Sequence, residues 1–305
     1  MADPPVDAIL QRVARRLGPI QGEPRPLAGG ITNRNLRVHL GDRDYVVRLA
    51  GKDTALLGID RGAEAAATEY AAEIGIGPPV ALYLPEDEAL VTRFIEGEPM
   101  DAEQIRDPDC LADVAQALRT VHVRGRRMRA RFSAFRVVET YRDTVLERGG
   151  HVPEEDYEAA AGVAARIEEV MHGPEHDPVP CHNDLLPANL LHDGDRVRLV
   201  DWEYAGMGDR YFDLGNLSIN AEFDEGDDEW LLTTYFGAPP TGRQFACLRL
   251  MRVMSDFREA MWAVVQGTIS NLDFAFDAYA AEHFARLRRE AKAPHFEGWL
   301  DEARA

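Results

Sequence analysis

The 305-residue chain has only three cysteines, Cys110, Cys181 and Cys247, set far apart and without a C-x-x-C pair. That excludes a disulfide framework and a cysteine-based zinc site, and marks the thiols as reduced structural groups. No apolar run approaches the length that spans a bilayer, so stable membrane insertion is not expected. The opening segment MADPPVDAILQRVARRLG lacks the apolar core of a signal peptide, and the expected location is cytoplasmic. Basic residues are in deficit: 34 Lys and Arg against 53 Asp and Glu give a formal charge of −19. Nonspecific nucleic-acid binding needs Lys and Arg to neutralise phosphates and is disfavoured, whereas a cationic small molecule suits such a field. One stretch departs from this balance. RGRRMRARF, with Arg124, Arg126, Arg127, Arg129 and Arg131, reads as a solvated connection after a helix.

What is present falls into two parts. Residues 6–17 have the pattern of an amphipathic helix. Leu36, Val38 and Leu40 alternate in one strand and residues 45–49 form the next, a hairpin preceded by a glycine-rich tip. An alanine-rich helix over residues 60–74 is stopped by Gly75, Gly77 and Pro78, and a strand pair follows at residues 80–84 and 89–95. After Gly97 the pattern turns helical, with helices over 110–123, 137–148 and 154–171 and several more toward the C-terminus. A β-rich lobe (1–96) thus precedes a larger, mostly helical lobe (97–305). The junction near residues 94–98 reads as a hinge, and a small-molecule site belongs in the cleft it closes.

The chemistry is concentrated in CHNDLLPANLLHDGDRVRLVDWEYAGMGDRYFDLGN, from Cys181 to Asn216. His182, Asp184 and Asn189 form an H-x-D-x-x-x-x-N motif, and Asp201 ends the apolar run that begins at Val197. Residues 189–191 and 196–200 read as two short strands joined by an Asp-Gly turn, which brings Asn189 and Asp201 to one place. Phosphoryl transfer asks a protein for a base at the acceptor hydroxyl and oxygen ligands for Mg²⁺ on the nucleotide phosphates. Asp184 suits the first role; Asn189 and Asp201 suit the second. His182 reads as structural, hydrogen-bonded to the loop backbone. Asp213 and Asn216 read as anchors for the helix that supports this loop. The acidic run over residues 222–229 reads as a solvated surface without a catalytic role.

Over residues 27–287 these motifs resemble the choline/ethanolamine kinase branch of the kinase-like aminoglycoside phosphotransferase families. GGITN resembles its phosphate-covering loop, IDRGAE its following helix, RFIEGEP its hinge, and CHNDLLPAN with LVDWEYAGMGDRYFDLGN its catalytic and metal motifs. The resemblance implies an α+β, protein-kinase-like two-lobed fold, with ATP and Mg²⁺ as cofactors and a small amino alcohol, choline first and ethanolamine second, as acceptor. Gly29, Gly30, Thr32 and Asn33 would then approach the phosphates. Arg48 would neutralise them, oriented by Glu64 rather than by Glu69 or Glu73, and the backbone of Phe94 and Ile95 would meet adenine. Tyr204, Trp262 and Tyr279 match aromatic positions of the family's ammonium cage. Two positions depart from it: Glu259 stands where choline kinases carry a tryptophan, and Asn220 replaces an acidic residue. These departures keep other acceptors open, namely thiamine, an aminoglycoside or a sugar-like alcohol. A nucleotide-binding scaffold without activity is the alternative of another class.

Overall fold

The alternating apolar residues of the N-terminal third form a sheet, as a period of two requires. In the computed structural model, which describes residues 6–27, 33–51, 54–124, 126–270 and 272–305, helix α1 (Val6–Leu17) leads into strands β1 (Ile20–Pro26), β2 (Asn33–Leu40) and β3 (Arg43–Ala50). The β2–β3 hairpin runs in register from Asn33 opposite Ala50 to Leu40 opposite Arg43. Leu36, Val38 and Leu40 of β2 and Val47 and Leu49 of β3 form one apolar cluster with Ile9, Leu10 and Val13 of α1. Helix α2 (Arg61–Glu73) is capped by Asp60, whose side chain accepts the Ala63 N–H. Strands β4 (Val80–Leu84) and β5 (Ala89–Arg93) complete an antiparallel five-stranded sheet ordered β1-β2-β3-β5-β4.

Next come β6 (Glu98–Pro99), α3 (Ala102–Arg106), α4 (Pro108–Val123), α5 (Ala134–Glu147), α6 (Glu154–Val170) and β7 (Val179–Cys181). The catalytic-type hairpin is β8 (Leu190–His192) and β9 (Val197–Leu199), paired antiparallel as the sequence implied. The chain ends with β10 (Gly206–Gly208), α7 (Arg210–Asn220), α8 (Glu225–Phe236), α9 (Gly242–Ile269), α10 (Phe276–Lys292) and α11 (Pro294–Arg304). Helix α9 is buried over most of its circumference, with α5, α7, α10 and α11 packed on it. Its crossing with α7 is close: a Cβ on Gly215 would lie 2.8 Å from the Arg252 backbone nitrogen. Leu57, Ile59, Ala67, Ala71 and Ile76, around α2, belong to this large helical core rather than to the sheet cluster. Helix α2 is thereby tied to the helical part while its first turn faces the sheet. Among the described residues, no helix is long and apolar enough to cross a membrane.

Three expectations need correction. Helix α5 starts at Ala134, earlier than the apolar pattern implied, because the Ser133 hydroxyl caps it by accepting the Arg136 N–H. The short strands β1, β6, β7 and β10 carry no alternation of their own and exist through their pairing partners. The acidic run is only partly solvated. Asp224 caps α8, and Asp228 is fully buried, ion-paired with Arg249 at 2.8 Å and Arg252 at 3.0 Å.

Candidate active site

The loop between β7 and β8 is held by two side chains of α7. Asp213 Oδ2 accepts the His182 N–H at 2.9 Å and Oδ1 accepts the Asn183 N–H at 2.7 Å. Asn216 Oδ1 accepts the Leu185 N–H at 2.6 Å, and its amide donates to Ser255 Oγ on α9 at 2.9 Å. His122 of α4 adds a third contact to Asp213, 3.0 Å away. Asn183 has φ 65° and Asp201 has φ 66°, left-handed values that cost a non-glycine residue about 1 kcal/mol and that Asn and Asp tolerate best. His182 is wholly buried. Its Nε2 faces the Val200 carbonyl at 2.9 Å and its ring packs 4.7 Å from Trp202. Burial lowers its pKa, so it stays neutral and structural.

This frame presents Asp184, 8% exposed, beside Asn189. The Asn189 amide donates to the Asp184 carbonyl at 2.9 Å and to its carboxylate Oδ2 at 3.3 Å. Its amide oxygen is thus the end left for another partner. Burial pushes the Asp184 carboxyl up to about 6, with Arg258 working against the shift and Glu259 with it. Asn189 and Asp201 flank the hairpin base, where the Val200 N–H bonds the Asn189 carbonyl at 3.0 Å. An amide oxygen and a carboxylate are hard donors, and they fit Mg²⁺.

Arg48, on β3, meets both Glu64 Oε1 and Asp201 Oδ1 at 2.6 Å. Burial opposes its charge, but Asp201, Glu64 and Glu203 together raise its pKa. Glu64 is the helix acid that faces Arg48, while Glu69 and Glu73 are exposed. Two partners escaped the sequence reading. Arg61 bonds Glu64 Oε2 at 2.7 Å, Glu203 Oε2 at 3.1 Å and the Asn33 amide oxygen at 2.7 Å. The Asn33 amide donates to Glu203 Oε2 at 2.8 Å. Burial, with Asp201 adding to it, raises the Glu203 pKa. Asn33 is therefore engaged in a buried polar cluster and not at a loop tip. Gly29, Gly30 and Thr32 lie outside the described residues. At the hinge, the Phe94 N–H bonds the Asp44 carbonyl at 3.1 Å, so that amide is not a donor for a base.

Helices α9 and α10 bring Glu259, Trp262 and Tyr279 together. The Tyr279 hydroxyl donates to Glu259 Oε2 at 3.1 Å, and its ring meets Trp262 edge-on with centres 6.1 Å apart. Phe274, half-exposed, joins them 5.7 Å from Tyr279. Tyr204 is buried, with the Arg258 guanidinium carbon 4.5 Å from its ring centre. Arg258 also escaped the sequence reading; the only signal was a charged pair, Arg258-Glu259, directly before the apolar stretch that begins at Ala260. Asn220 stands at the last turn of α7. Its amide lies 3.4 Å from the Leu185 carbonyl, a long contact with the loop between β7 and β8. Chemically, these residues combine a buried carboxylate able to accept a proton, oxygen donors of the kind a divalent cation takes, and fixed positive charge.

The profile of the phosphotransferase enzyme family matches residues 23–246. Protein LicA of Haemophilus influenzae is 28% identical over 212 residues, covering 68% of this chain and 61% of that protein. Ethanolamine kinase 2 of Mus musculus is 28% identical over 295 residues, covering 87% of this chain and 75% of that protein. A solved choline/ethanolamine kinase family protein from Mesorhizobium loti superposes with a TM-score of 0.81 at 29% identity, covering 98% of both chains. The chain spans less than two thirds of the LicA sequence. The likeness to the solved structure runs through the whole fold, in accord with the two-lobed, protein-kinase-like α+β architecture expected from the motifs.

Proposed function

Since the chain belongs to the phosphotransferase enzyme family, we propose that it transfers the γ-phosphoryl group of ATP to the hydroxyl of a small amino alcohol of the choline and ethanolamine class. The observation that carries this reading is the contact of Asp184 with Asn189 at 3.3 Å, beside the Asp201–Arg48 pair at 2.6 Å. A base for the acceptor and a phosphate-side charge cluster share one cleft. Relatives named for ethanolamine kinase activity over most of this chain's length support the substrate class.

In this reading the acceptor oxygen attacks the γ-phosphorus, its proton passes to Asp184, and ADP leaves as the bond from phosphorus to the bridging oxygen breaks. Asp184 orients the hydroxyl by hydrogen bonding before it takes the proton. Arg48, turned by Glu64, neutralises phosphate charge. Asn189 and Asp201 would hold Mg²⁺, which when bound supplies charge neutralisation at the phosphates. The Phe94 carbonyl and the Ile95 backbone flank the base. Residues 1–96 serve as the nucleotide-side lobe and residues 97–305 carry the acceptor. The enzyme is a cytoplasmic one, where ATP is available.

The test is ATP consumption with Mg²⁺ across choline, ethanolamine, their methylated intermediates, thiamine and several aminoglycosides, with Asp184→Ala as the blank. Turnover of an amino alcohol that vanishes in the blank supports the reading. Turnover of another acceptor alone would replace it with a different small-alcohol kinase. ATP binding without transfer to any acceptor would point to a scaffold.

A further inference from the structure

Arg258 is 2% exposed and stands on α9 where that helix faces the catalytic loop. Its Nη1 donates to Asp184 Oδ1 at 3.0 Å and to Glu259 Oε1, while its guanidinium lies over the Tyr204 ring. Its Nε and Nη2 have no hydrogen-bond partner among the described residues. Glu259, 4% exposed, passes the connection on through Tyr279 to Trp262. One guanidinium and one carboxylate, adjacent in sequence, therefore link the base to the aromatic residues.

A trimethylated ammonium has no N–H to donate and is recognised by aromatic faces. A primary ammonium has three N–H groups and is met by carboxylate lone pairs. An aromatic face that already carries a cation is closed to a second one, because like charges at that distance repel. On Tyr204 that cation is Arg258. Two carboxylates, Asp184 and Glu259, against the one guanidinium still leave an excess negative charge for a monocation.

Resting on the amino-alcohol kinase reading, we propose that the Arg258–Glu259 pair is the acceptor-specificity element of this site. Arg258 occupies the Tyr204 face and positions the Asp184 carboxylate, which leaves a site that selects a primary ammonium over a trimethylated one. Arg258 acts here through Asp184 and Tyr204 as a positioning residue. The pair also accounts for Glu259 standing where a cage aromatic is expected: a carboxylate neutralises the buried guanidinium, as a tryptophan could not.

The experiment measures kcat and KM for ethanolamine and choline on the full chain, with KM for ATP measured alongside. Wild type is compared with Arg258→Lys, Glu259→Gln and the double variant Arg258→Leu/Glu259→Trp, each checked for a cooperative thermal melt. Wild type is expected to favour ethanolamine in kcat/KM by about tenfold or more. The double variant removes one buried charge of each sign together and is expected to shift that ratio toward choline by about the same factor. Arg258→Lys keeps the preference for ethanolamine with a lower kcat and an unmoved KM for ATP, as loss of positioning at Asp184 requires. Glu259→Gln raises KM for ethanolamine about tenfold more than KM for choline, and decides the matter if the double variant does not fold. A wild type without preference for ethanolamine, or folded variants with an unchanged ratio, overturns the proposal and leaves the kinase reading standing. Turnover of neither amine overturns both.

Discussion

Arg48 and Asp201 are 153 residues apart in the chain, and their side chains meet at 2.6 Å. The same Nη1 lies 2.6 Å from Glu64, so one guanidinium joins the sheet, the first turn of α2 and the end of the β8–β9 hairpin. Glu64 in turn takes Arg61, which reaches Glu203 two residues beyond Asp201. Charges of opposite sign thus alternate along a chain from Asp201 through Arg48, Glu64 and Arg61 to Glu203. Arg61, Glu64 and Glu203 are buried, and the Arg48 and Asp201 side chains are each 13% exposed, so their mutual attraction is weakly screened and each depends on its neighbours.

Arg48→Ala is expected to lower stability by about 3–5 kcal/mol, because it leaves the buried Glu64 and the largely enclosed Asp201 carboxylates without their shared cation. The same variant is expected to raise KM for ATP. Urea unfolding and initial-rate kinetics measure the two effects. An unchanged unfolding midpoint would show that the cluster adds no net stability.

Asp184→Ala is expected to lower kcat by about 10²–10⁴-fold, the usual contribution of a positioned base, with nucleotide affinity within about twofold of wild type. Calorimetric titration with a non-hydrolysable ATP analogue reads the affinity and a coupled assay reads the rate. Equal loss of affinity and rate would mean that Asp184 serves the nucleotide and not the acceptor.

Asp213→Ala removes the acceptor of two loop N–H groups and the partner of His122, all fully buried. Each stranded donor costs about 1–3 kcal/mol, so a loss of roughly 3 kcal/mol or more is expected, seen as a lower Tm. Activity should fall with it, since Asp213 holds Asn183 in its left-handed conformation next to Asp184. A variant with native Tm would show that the loop holds its shape without α7.

Much of this site is legible in the sequence because its parts are local. The H-x-D-x-x-x-x-N spacing and the Asp-Gly turn fix the hairpin, and within it Asp184 and Asn189 meet. The Arg48–Glu64 pair follows from the kinase-like order of strand and helix. Arg61, Glu203 and Arg258 were not legible. Arg61 looks like one more polar residue at a helix start, yet it is buried by a partner 142 residues away. Arg258 sits among polar and apolar residues of one helix, and its burial depends on Asp184, 74 residues earlier, and on the Tyr204 ring. A buried cation is recognisable only once the acids that neutralise it are in place, and those arrive through the fold. The short strands β7 and β10 have the same difficulty, since three residues carry no periodicity.

The hairpin turn offers a pH test that is independent of the cleft. Asp193 accepts the backbone N–H groups of Asp195 and Arg196 at 3.0 Å and Arg198 Nε at 2.6 Å. Partial burial works against ionisation, but Arg198 and the two N–H groups outweigh it and hold the carboxyl at about 2. A carboxylate with a depressed folded-state pKa stabilises the fold above its unfolded value near 4. That stabilisation declines as pH falls from about 4 through about 2, where the proton binds in both states. Asp193→Ala should therefore be less stable than wild type at neutral pH, and the gap between their urea midpoints should narrow as pH drops through that window. A gap that stays constant down to about pH 2 would mean that the turn is held by its backbone alone, with the carboxylate adding nothing.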